Sequence, residues 1–147
     1  MARKVNEDDR ATKRNQILTV ARRLVYSRGY EQMSIQHILD ELGISKGAFY
    51  HYFDSKPALL EAMVEATQDE VEGILLPIVQ DPNLAFIEKL QRFSDTISGW
   101  KLARRDFLMA LLRVWYMDDN VLARQKITAA MHQRVTPWLA EIVRQGA

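Results

Sequence analysis

Gly43-Ile44-Ser45-Lys46-Gly47-Ala48-Phe49-Tyr50-His51-Tyr52-Phe53-Asp54-Ser55-Lys56 is the stretch on which the fold of this chain turns. It opens on a glycine, which suits the left-handed residue that ends a helix. Ser45 follows two positions on, where a serine hydroxyl caps the next helix. Lys46, Gly47, Tyr50 and His51 then share one short helix with Phe49 and Phe53. A segment built only to fill a core would not place these polar groups beside two phenylalanines. The pattern is a small helix held by its apolar side and offering its polar side to a large charged partner, and double-stranded DNA fits that description.

On the N-terminal side, Ser34 caps a helix whose apolar face is Ile35, Ile38, Leu39 and Leu42, and Gly43 ends it after two turns. Earlier still, Ile17, Leu18, Ala21, Leu24 and Val25 recur at the spacing of an amphipathic helix that starts at Ala11 and stops at Gly29. Residues 1–10 are polar, with Arg3, Lys4 and Arg10 around Glu7, Asp8 and Asp9, and read as a loose, flexible arm. On the C-terminal side, Asp54 and Ser55 close the third helix, and Pro57 sits in the first turn of a long fourth one, where its missing N–H costs nothing.

The fourth helix runs through Leu59, Leu60, Met63, Val64 and Val71 to Leu76, and Pro77, Asp81, Pro82 and Asn83 mark the clearest boundary in the chain. Beyond it the periodicity gives a fifth helix (Leu84 to Ile97), a break near Ser98-Gly99, a sixth helix (Leu102 to Met117) and a seventh (Val121 to Gln145) that Pro137 kinks or splits. No alternating strand pattern occurs, so the fold class is all-α. The expected organisation is an arm (1–10), a three-helix unit (11–56) with a helix-turn-helix at 34–53, a connecting helix (57–76) and a helical regulatory half (77–147).

Composition narrows the function classes. At 48% hydrophobic and 27% charged residues the chain is of ordinary globular type. Without cysteine there are no disulfides or thiolate metal sites. No apolar run approaches the roughly 20 residues of a membrane span, and the expectation is a cytoplasmic protein with no membrane partner. The net charge of +1 is unevenly spread: residues 1–56 carry 10 Lys and Arg against 7 Asp and Glu, and the rest carry 10 against 12. Its three histidines, His37, His51 and His132, have no metal-ligand spacing, and there is no phosphate-cradling glycine loop. Neither an enzyme nor a cofactor or metal protein is expected.

Two short helices joined by a glycine turn let the second helix enter a major groove about 12 Å wide. Ile38, Leu42, Ile44, Phe49 and Phe53 hold the pair at a fixed angle. Ser34 and Ser45 leave N–H groups at helix starts for phosphates. Lys46 suits a guanine edge or a phosphate, and Gly47 and Ala48 are small enough for close backbone approach. Tyr50 and His51 have donors for phosphates, and the Tyr50 ring suits a thymine methyl. Lys56 is a further phosphate candidate. Tyr52 reads equally as core or as a phosphate contact, and His37 as an exposed polar residue turned away from the groove.

From Ser34 to Leu60, and back over Gly29 and Tyr30, the chain resembles the tetracycline-repressor-like (TetR/AcrR) family of bacterial transcription regulators. The tyrosine-rich recognition helix followed by Phe53, Asp54, Ser55 and Lys56 carries the likeness, which covers residues 11–71. The resemblance implies that Gln36, Lys46, Gly47, Ala48 and Tyr50 face bases, while Ser34, Ser45, Tyr50, His51, Tyr52 and Lys56 serve the DNA backbone. It also implies a homodimer whose operator binding, most often repressive, is relieved by a small-molecule inducer. Aromatic and sulfur-bearing residues of the second half suit a hydrophobic ligand, and Phe93, Trp100, Phe107, Arg113, Trp115, Tyr116, Met131 and His132 are the candidate ligand residues. Ordinary core is the competing reading for each. Family members continue for two more long helices that build the dimer interface, whereas this chain stops at Arg144-Gln145-Gly146-Ala147. The regulatory half is therefore expected to be incomplete, as a truncated piece or a short variant. The alternative function is a helical interaction module that no longer binds DNA as a dimer.

Overall fold

The computed structural model describes residues 2–116 and 121–146, and every regular element among them is helical. The order is α1 (Ala2–Arg28), α2 (Ile35–Leu42), α3 (Lys46–Tyr50), α4 (Lys56–Gln80), α5 (Phe86–Ala103), α6 (Arg105–Trp115) and α7 (Val121–Gly146). The helices α1 to α3 and the first half of α4 enclose one core. The second half of α4 packs with α5 and α7. No helix among the described residues is long and apolar enough to cross a membrane.

The expected arm at 1–10 is helix instead, since α1 begins at Ala2. No glycine or proline interrupts residues 2–16. Once the packed half of a helix has formed, adding turns costs little, because the nucleation penalty has already been met. The Thr12 hydroxyl donates to the Asp8 carbonyl (2.8 Å), which continues the helical pattern through this segment.

Ile17, Ala21, Leu24 and Val25 of α1 meet Ile38 and Leu39 of α2, Phe49 and Phe53 around α3, and Leu59, Leu60 and Met63 of α4. Fully burying each such side chain contributes about 1.5–3 kcal/mol. Phe107 of α6 belongs to this same core, with Ala110 and Leu111 packed against it. The N-terminal unit therefore borrows part of its interior from the second half.

Two sequence expectations about helix ends are corrected. Pro77 lies inside α4, which continues to Gln80. The proline removes a hydrogen bond and costs about 3 kcal/mol, but Leu75 and Val79 on either side of it are 1% exposed, and their burial offsets that loss. Ser98 and Gly99 lie inside α5, which ends only at Arg104 (φ −117°, ψ 19°). A mid-helix glycine costs about 1 kcal/mol, and the burial of Trp100 next to it exceeds that. Pro137 lies inside α7, so of the expected kink or split the split does not occur. One lysine, Lys89, is buried; its ammonium donates to the Val79 carbonyl at the end of α4 (2.9 Å) and to the Gln145 side chain of α7.

Candidate nucleic-acid interface

Local chemistry sets the geometry of α2, the turn and α3. Ser34 is extended (φ −113°, ψ 157°) and its hydroxyl accepts from the His37 N–H (3.2 Å). His37 returns the contact, its Nδ1 accepting from the Ser34 N–H (3.2 Å). This is a capping box in which histidine replaces the usual glutamate or glutamine. His37 is therefore half-buried in a capping box rather than the exposed polar residue expected from the sequence, and the Ser-x-x-His spacing is the signal that shows it. At the other end Gly43 adopts the left-handed conformation (φ 63°, ψ 33°), and its N–H donates to the Leu39 carbonyl. A Cβ there would carry a conformational penalty, so glycine belongs at this position.

Ser45 then caps α3, its hydroxyl accepting from the Ala48 N–H (3.1 Å). Phe49 is fully buried and lies 5.9 Å from the Phe53 ring, with the Tyr50 ring edge-on to it at 5.4 Å. These contacts anchor the inner side of α3. The helix proper ends at Tyr50, and Ser55 caps α4 rather than closing α3, with its hydroxyl accepting from the Ala58 N–H (3.1 Å).

The outer side of α3 is open. Lys46, Gly47, Tyr50 and His51 are exposed, and among the described residues the side chains of Lys46 and His51 have no hydrogen-bond or ion-pair partner. The His51 ring stands edge-on to Tyr52 (5.1 Å), which is half-buried against the core. Ala48 is half-buried beneath them. Other candidates already have partners within the chain. Gln36 donates to the Asp40 carboxylate (2.7 Å). The Lys56 ammonium sits over the Tyr30 ring (4.4 Å) and donates to the Glu31 carbonyl (3.3 Å). Burial lowers the Lys56 pKa, with the nearby Glu31 charge opposing the shift. Burial, with Glu31 adding to it, also raises the Tyr30 hydroxyl to about 12.

In the second half the candidate ligand residues differ in their surroundings. Trp100 is buried and Phe93 half-buried, but Arg113, Tyr116 and His132 are exposed. Phe107 is spent on the N-terminal core, with the Arg22 guanidinium over its ring (5.1 Å). The Trp115 and Met131 side chains lie outside the described residues. A groove of about 490 Å³ does open between α4 and α7, lined by Asp69, Glu72, Gly73, Leu76, Pro77, Gln80 and Arg134. Arg134 pairs there with Asp69 and with Glu72 (3.5 Å), so its walls are charged rather than aromatic.

A charged junction joins the two halves, and no local sequence signal announces it. Glu70 of α4 accepts from Arg22 of α1 (3.3 Å) and pairs with Arg104 at the α5–α6 corner. Burial pushes the Glu70 carboxyl up, but the Arg22 hydrogen bond, the adjacent Trp100 indole and the two arginine charges outweigh it and hold the carboxyl below its ordinary 4.5. The Trp100 N–H is buried beside this carboxylate without completing a hydrogen bond of its own. Tyr26 of α1 also donates to Asp106 of α6 (3.3 Å).

Residues 17–63 match the family described as "Bacterial regulatory proteins, tetR family". Over 114 residues the chain is 29% identical to an HTH-type transcriptional repressor of Mycobacterium tuberculosis, covering 66% of this chain and 61% of that protein. It is 25% identical over 154 residues to the HTH-type transcriptional regulator TtgR of Pseudomonas putida, covering 99% of this chain and 72% of that one. Among solved structures, a candidate tetR family transcription regulator from Shewanella sp. PV-4 superposes with a TM-score of 0.70 at 26% identity, covering 91% of this chain and 69% of the other. A gamma-butyrolactone receptor superposes at 0.63 and 25% identity, covering 92% and 68%. Against the Mycobacterium tuberculosis repressor, the chain spans 61% of the relative's length.

Proposed function

Since the chain belongs to the TetR family of bacterial regulatory proteins, we propose that it is a sequence-specific DNA-binding transcriptional regulator, acting as a repressor. The observation that carries this reading is the outer side of α3. Lys46, Gly47, Tyr50 and His51 are exposed together on a helix whose inner side is locked by Phe49, and whose two serine caps and left-handed Gly43 leave the turn no freedom. In this proposal Lys46 and Tyr50 read bases, His51 and the helix starts at Ser34 and Ser45 meet phosphates, and Gly47 and Ala48 permit close approach. Gln36, Tyr52 and Lys56 contact DNA only after releasing or rearranging their present partners.

Relief by a small ligand and operation as a homodimer belong to the same proposal. Their support is the Glu70 junction, which ties the α5–α6 corner to α1, and the ligand-receptor name of one similar structure. A displacement of α4 against α5 has a direct mechanical route to the recognition unit.

A mobility-shift titration on the promoter beside the chain's own gene, run across salt concentrations, tests the reading. Specific binding whose logarithm falls steeply with the logarithm of salt is expected. Lys46→Ala and Tyr50→Ala should each cost about 1–3 kcal/mol of operator affinity while helical content stays unchanged. Absence of specific binding at low salt overturns the proposal. A loss of thermal stability in step with affinity would instead make these residues part of the core.

A further inference from the structure

The unexpected helical start of α1 carries a second contact. On a helix each residue advances the face by about 100°, so Arg10 lies within about 40° of Arg14 and along the stripe that continues as Ile17, Ala21, Leu24 and Val25. In the second half of α1 that stripe is buried. Toward the N-terminus the core runs out, and the same stripe becomes Arg14 and then Arg10, with Lys13 at its edge. Asp8 and Asp9 fall on the other sides of the helix. Arg10 and Lys13 are exposed, and among the described residues neither has a hydrogen-bond or ion-pair partner.

Arg14 fixes where this stripe points. Its guanidinium lies over the Phe53 ring (5.1 Å), and Phe53 packs on Phe49 of the recognition helix. The cationic end of α1 is therefore seated beside the end of α3, and Arg10 reaches one further turn, about 5.4 Å, beyond the body. These residues fall outside the 17–63 segment that matches the family.

We infer that Arg10 and Lys13 form an outrigger that grips the sugar-phosphate backbone beside the major-groove site, lengthening the footprint without reading sequence. The inference rests on the DNA-binding function proposed above. Cations meeting phosphates release counterions, each contact adding about 0.9 to the slope of log affinity against log salt. Two contacts together change affinity by roughly tenfold between 50 and 200 mM salt.

The test is a salt titration of the full chain and of the double variant Arg10→Gln, Lys13→Gln on operator and on unrelated duplex of the same length. The expected result is a slope shallower by about 1.8 for each protomer bound, about 3.6 for the dimer proposed above, the same loss on both duplexes, and an unchanged unfolding midpoint, as both side chains are exposed. Phosphate-ethylation interference should lose positions flanking the half-site. A slope equal to that of the unsubstituted chain overturns the outrigger. So does a loss confined to operator DNA, because that marks base reading. If the unsubstituted chain binds neither duplex, the proposed function itself fails.

Discussion

Gly47→Ala separates folding from recognition at one atom. Gly47 is in α3 with an ordinary helical backbone, since among the described residues only Gly29 and Gly43 have positive φ. A Cβ built there meets only the Ser45 hydroxyl, at 3.9 Å, which is ordinary contact. No steric term opposes the substitution, so the conformational gain of alanine over glycine remains, about 0.5–1 kcal/mol. That gain should raise the unfolding midpoint by roughly 1–4 °C for a chain of this size. On DNA the sign reverses. If the α3 backbone approaches the groove at Gly47, an added methyl overpacks the contact and costs about 1–3 kcal/mol, which is roughly 5- to 150-fold in affinity. Urea unfolding followed by circular dichroism and anisotropy titration on labelled operator measure the two quantities on the same sample. A more stable variant with unchanged operator affinity refutes the close approach at Gly47. A less stable variant refutes its helical placement.

The turn before α3 gives the opposite folding result. Gly43 has φ 63° and an added Cβ would touch nothing within 4 Å, so Gly43→Ala should cost about 1–2 kcal/mol from backbone conformation alone, and Gly43→Asn less; equal stability of all three chains in urea would remove the left-handed cap. At the junction, the lowered Glu70 pKa means its stabilising contribution is complete above the ordinary 4.5 and is lost as pH falls through the native value. Glu70→Gln should therefore be less stable than the parent at neutral pH, with the difference shrinking under acid. Parallel stability curves from neutral pH down to 3 would show that the carboxylate charge contributes nothing.

The helix-turn-helix unit was the most legible part of the sequence because its signals are local. Ser34, Gly43 and Ser45 act on N–H groups and dihedrals within a few residues of themselves, and all three fall where their chemistry predicts. The failures share the opposite character. Pro77 and Gly99 are strong local breakers, yet Leu75, Val79 and Trp100 are buried beside them and tertiary packing prevailed. Phe107 looked like a pocket wall because a sequence records that a residue is apolar, but not which cavity it fills. The Glu70 junction draws on residues from three separated segments, and nothing near any one of them marks the others. Lys56 matched a family motif, whereas its stacking on Tyr30 depends on the path of the preceding turn.

The place of Phe107 in the N-terminal core also bears on how the two halves of this fold are recombined. An exchange that joins the first four helices of this chain to a foreign effector half, cut after Gln80, transplants a core with its Phe107, Ala110 and Leu111 contacts missing. The recipient must supply an aromatic residue at the matching point of its sixth helix, or the graft exposes the pocket that Phe107 filled. The workable seam for domain shuffling therefore follows the α1–α6 contact rather than the end of α4, and the two halves are inherited together.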